Sequence, residues 1–207
     1  MNIDKLGWLV AAGLVGAMFG MGFQTAAPKF AVVDLQKVFS DSDFTANGNV
    51  ELQAFAAPRR ELLQFLQQNL SMAPDDAKRL AELSRKATRT SAEDAEIAKI
   101  KTDAAIATQK RNDLLTKPSP TPDEQKQLTD YSARLNQNQD FGAQLEQQMG
   151  QELDNEKQVL RDKAMDQVRK SVGDVAKKDG YSVVFTSDTA PYAANDITPD
   201  ALKAVKK

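Results

Sequence analysis

Apolar positions along the chain change period several times, and each change marks an element. Leu6 to Phe23 is an unbroken apolar and glycine run, with Lys5 before it and Gln24 after it. Such a run prefers lipid to water, and its length lies between a signal-peptide core and a spanning helix. It predicts a signal peptide or a retained membrane anchor over residues 1–27. Lys29 to Leu35 then reads Lys-Phe-Ala-Val-Val-Asp-Leu, short, apolar and β-branched, which predicts a strand. Leu35, Val38 and Phe39 continue at helical spacing, and the polar stretch Ser40 to Asn49 reads as a loop.

From Val50 the apolar period is helical as far as Lys178. Breaks fall near 73, 90 and 118–122. Pro74 followed by Asp75 and Asp76 predicts one helix start, and Ser91 is the expected N-cap of another. Pro118, Pro120 and Pro122 make a stiff turn that no helix crosses. Lys86, Thr90 and Glu93 align with Lys117, Thr121 and Glu124 at a constant offset, which reads as a two-copy repeat or as two similar caps. Beyond Asp123 one helix of ~80 Å is predicted. Its stripe includes Tyr131, Leu145, Met149, Leu160, Val168 and Val172 at coiled-coil-like steps, with Asn138 and Glu156 standing where core residues are expected.

Gly180 predicts the end of that helix. Tyr181 to Ser187 reads as a second strand, and Thr198-Pro199 as the cap and first turn of a final helix. The predicted organisation is therefore 1–27, a first β segment in 28–49, a helical arm in 50–178, and a second β segment with the last helix in 179–207. The fold class is mainly α with a small β body, the long helical arm being inserted between N- and C-terminal strands. So few strands bury little area, so the β body is expected to share its core among subunits. Phe30, Val32, Val33, Leu35, Val183, Val184 and Phe185 are the candidates for that oligomer core.

Composition narrows the chemistry. The chain has neither histidine nor cysteine, which removes Ser-His-Asp and Cys-His nucleophiles, structural zinc sites and disulfides. No glycine-rich phosphate loop is present. A non-enzymatic protein without cofactors is expected. A net charge of -2 argues against nucleic acid as a partner. Lys78, Arg79, Arg85, Lys86 and Arg89 form a local basic cluster, read either as a solvated helix face or as a client-contacting patch.

Three segments together carry a family resemblance. They are Lys29 to Phe39, Val175 to Ser187, and Ala190-Pro-Tyr-Ala-Ala-Asn-Asp-Ile-Thr-Pro-Asp-Ala-Leu-Lys-Ala-Val205. In this order around a helical insert, they resemble the Skp/OmpH-like periplasmic chaperones. The resemblance implies a homotrimer with helical arms around a cavity, acting as an ATP-independent holdase for unfolded outer-membrane or exported proteins in the periplasm. The extra breaks at Pro74, Ser91 and Pro118 to Pro122, and the balanced arm charge, depart from the family's basic hairpins. The alternative is an envelope structural or tethering protein, anchored to the inner membrane through Leu6 to Phe23.

Overall fold

The computed structural model describes residues 28–86, 88–192 and 194–206. The signal or anchor segment expected over 1–27 lies outside them. Among the described residues no helix is long and apolar enough to cross a membrane. The chain divides into two compact units, one holding the chain up to Ser42 and from Val168 onward, the other Asp43–Gln167.

The first unit is built on β1 (Phe30–Val33) and β2 (Val183–Thr186), which pair in parallel. Phe30 lies opposite Val183 and Val32 opposite Phe185 on one face; Ala31 lies opposite Val184 and Val33 opposite Thr186 on the other. A parallel pair needs a crossover between its strands, and here the crossover contains the whole helical unit. Val32 also donates to the Asn195 carbonyl at 2.8 Å, and its own carbonyl accepts from Ile197 at 2.9 Å. β1 is thus hydrogen-bonded on both sides, while β2 is the outer strand.

Strand β1 is shorter than the sequence pattern predicts, because Asp34 ends it. The Asp34 carboxylate accepts from the Lys37 N–H at 2.8 Å and caps α1 (Leu35–Ser40). Leu35 therefore belongs to a helix. The last helix, α6 (Thr198–Val205), packs against α1 and β1. Thr198 was expected to cap it, but its hydroxyl accepts from the Asp34 N–H at 2.8 Å instead. The same threonine therefore fastens the end of β1 across the unit.

The second unit is helical. The loop expected over Ser40 to Asn49 is confined to the break at Asp41 and Ser42, and α2 (Asp43–Gln68) already includes Gly48. A Cβ at Gly48 would meet Leu160 at 3.8 Å, so the glycine brings α2 close to the long helix. Pro58 lies inside α2 and supplies no N–H to the helix; one residue on, the Arg59 guanidinium donates to the Phe55 carbonyl at 2.9 Å. Helix α3 (Pro74–Ser84) starts at its proline with Asp75 and Asp76 in the first turn. Helix α4 (Ser91–Thr116) is capped by Thr90 and not by Ser91, because only Thr90 has Glu93 at the third position to complete a capping box.

Helix α5 (Pro122–Lys178) runs 57 residues. It ends where the sequence predicts, with Gly180 at a φ of 75° and Tyr181 donating back to the Ala176 carbonyl at 2.9 Å. Leu62 and Leu66 of α2, Leu80 of α3, Ile100 of α4, and Leu145 and Met149 of α5 share one buried cluster around Met72. This core needs all four helices. The fold is mainly α with a small two-stranded sheet, as the sequence pattern indicates.

Candidate functional site

No group of acidic residues able to hold a metal is present among the described residues. Candidate sites are therefore surfaces. The strand residues proposed as an oligomer core split by face. On the inner face Val33 is buried and Val184 half-buried. On the outer face Phe30, Val183 and Phe185 keep 48%, 41% and 38% of their surface exposed, with only Val32 covered among them. The Phe30 and Phe185 rings sit 6.1 Å apart. Parallel register puts these large side chains on one side of the sheet, and that side is left open. Leu35 is half-buried in α1 and takes no part in this face.

The five cations of the basic cluster are all paired. Arg79 makes a two-pronged bond to Glu96, at 2.7 and 2.9 Å, and a third bond to Glu82. These carboxylates push the guanidinium pKa up, and Arg79 holds the Glu96 carboxyl below its usual range. Arg85 donates to Glu152 at 3.3 Å, and Arg59 reaches the same carboxylate at 3.2 Å. Lys86 bonds Glu93, Arg89 bonds Asp94 at 2.7 Å, and Lys78 lies 3.9 Å from Asp75. The cluster ties α3 and its following turn to α4 and α5.

The repeated Lys-Thr-Glu spacing has a structural meaning. Lys86 bonds Glu93 while Glu93 and Thr90 form the capping box. Lys117 likewise bonds Glu124 at 2.7 and 2.8 Å, and Glu124 accepts from the Thr121 N–H at 2.8 Å. Each interhelical turn is thus closed by the same three side chains. The Glu93 carboxyl is held at about 2, first by the Lys86 ammonium and then by the Thr90 backbone N–H; Glu124 is lowered by Lys117 and Thr121 in the same way.

Asn138 was legible only as a polar residue at a core position. In the structure it is buried, and its side-chain nitrogen donates to the Leu70 and Met72 carbonyls of the turn between α2 and α3. Those carbonyls follow the end of α2 and need donors. The amide oxygen, also buried, has no partner among the described residues. An unmet buried acceptor costs roughly 1–3 kcal/mol.

The family model described as outer membrane protein (OmpH-like) matches residues 95–205, more than half of the chain. The match takes in most of α4, all of α5, β2 and α6, and leaves β1, α2 and α3 outside. No curated relative and no solved structure matches the chain significantly.

Proposed function

The chain belongs to the OmpH-like family, a family of periplasmic chaperones, and on that premise we propose that it is an ATP-independent holdase for unfolded outer-membrane or exported proteins. It works in the periplasm as a homotrimer. The observation that carries the assembly is the open outer face of the sheet. Phe30, Val183 and Phe185 are large, apolar, adjacent and uncovered, and burying such side chains is worth about 1.5–3 kcal/mol each. Copies of the same chain would share this surface, with their helical units presented to clients.

Client binding of this kind needs no catalytic residue and no energy source. Many weak contacts from several arms raise the effective affinity. The ion-paired cations of α3 favour the reading of the basic cluster as a structural, solvated face. The test is refolding of an outer-membrane protein from denaturant. Aggregation is suppressed at a stoichiometric ratio of trimer to client; unchanged light scattering at that ratio sinks the holdase.

The second reading, a membrane-tethered spacer, rests on the apolar run Leu6 to Phe23. Mass measurement of the protein isolated from cells separates the two. Loss of about the first 27 residues leaves the soluble holdase, and an intact N-terminus favours the tether.

A further inference from the structure

The outer face of the sheet begins beside the point where the chain enters the β unit. The described residues start at Pro28, and Phe30, two positions on, already stands exposed on that face. Parallel register sets the exposed Val183 opposite Phe30, with Phe185 two residues further along β2. Just upstream, Phe19-Gly20-Met21-Gly22-Phe23 alternates a large apolar residue with glycine. Alternate residues of an extended chain share a side, so this pattern groups Phe19, Met21 and Phe23 and backs them with no side chain at all. Gln24 to Lys29 join this strip to Phe30. A link of that length spans at most about 20 Å. Packed layers of extended chain lie about 10 Å apart, so the link is long enough to fold the strip back over the face.

We propose that the segment Phe19 to Phe23 docks on the outer face of its own sheet, against Phe30, Val183 and Phe185, and so holds unprocessed copies of the chain apart. The second half of this proposal rests on the reading of the face as the assembly surface. Tethering selects the occupant. A short flexible link gives its own segment an effective concentration on the order of millimolar. A second copy, or an unfolded client, competes only at its bulk concentration. The chain's own segment therefore takes the face first. Two events release it: removal of the segment, or its withdrawal into a membrane, which the apolar run Leu6 to Phe23 favours over water. Either event frees the face for another copy, so assembly follows export and does not precede it.

Trp8 is the one tryptophan of the chain, so Trp8→Phe together with Phe19→Trp leaves a single indole on the strip. The full chain carrying this pair is followed by acrylamide quenching in detergent-free buffer over a dilution series. Shielding of the indole that is the same at every concentration is expected. Adding Phe185→Ser or Val183→Ser should raise quenching several-fold while helicity stays constant. Val159→Ser, at an exposed apolar position of the helical unit, should leave it unchanged. Full quenching at every dilution overturns the docking, as does shielding that ignores both face variants. Shielding lost on dilution overturns it too, because the occupant is then a neighbouring copy. A protease site after Ala27 then releases the segment, with sedimentation velocity read before and after the cut. Growth to larger species on cutting is expected. A shielded indole without growth keeps the docking and rejects the shared face; assembly of the uncut chain with an open indole rejects the docking and keeps the shared face.

Discussion

The two units of this chain cover their apolar surface in different ways. The helical unit buries a core of its own, although Val50, Ile106, Leu115 and Val159 stay exposed on its surface. Leucine, isoleucine and methionine from four helices meet in one cluster, and arginine–carboxylate pairs hold the helices around it. The β unit covers one face of its sheet and leaves Phe30, Val183 and Phe185 on the other face in the open. A two-stranded sheet needs further strands or a helix against it to be stable, and here α6 packs on β1. The difference teaches where the proposed assembly would act: the helical unit has a core of its own, whereas the β unit leaves apolar surface that another copy would cover.

The comparison breaks most sharply at the helical core. Leu80→Ala removes a side chain with no exposed surface and should destabilise the helical unit by about 2–5 kcal/mol. Chemical denaturation measures this, and a loss below 1 kcal/mol would mean that the core is not shared as described. Next is the open face. Phe185→Ser should leave helicity unchanged yet shift the protein to smaller species in sedimentation velocity, each lost ring costing about 1.5–3 kcal/mol of assembly. Sedimentation identical to wild type would show that the face is not the interface. Val184→Asp tests the opposite face, where a charge beside the buried Ala31 and Val33 should prevent both folding of the β unit and assembly.

Smaller effects come from the ion pairs. Glu152→Gln weakens the shared carboxylate of Arg59 and Arg85 and should cost about 1 kcal/mol, since these groups are only partly shielded from solvent. The gentlest probe is pH. Glu93 is held at about 2 against an ordinary 4.5. A carboxyl lowered in the folded state contributes its stabilisation above the ordinary value and loses it as pH falls through the lowered one. The start of α4 should therefore loosen between about pH 4.5 and 2. Circular dichroism follows the change, and Glu93→Gln should flatten that part of the titration.

Local chemistry was the most legible part of the sequence. Pro74, the Pro118 to Pro122 turn and Gly180 mark ends of helices because proline lacks an N–H and glycine accepts a positive φ, whatever surrounds them. The cap at α4 moved by one residue, from Ser91 to Thr90, because the third-position glutamate decides between two adjacent hydroxyls. Gly48 misled in the other direction. It suggested a loop, but it serves a close approach to Leu160, a residue more than a hundred positions away. Thr198 misled likewise, because its partner Asp34 lies at the other end of the described chain.

What the sequence determined by itself was the set of helices and strands, the absence of histidine and cysteine chemistry, and the doubled Lys-Thr-Glu turn. Those depend on neighbours within a few residues. Only the tertiary structure decided the parallel register of β1 on β2, the open aromatic face that follows from it, the pairing of every cation in the basic cluster, and the burial of Asn138 with one donor missing. Each depends on groups brought together by packing. Spacing along the chain limits which partners a side chain can reach, but the partner it takes is chosen by distance in space.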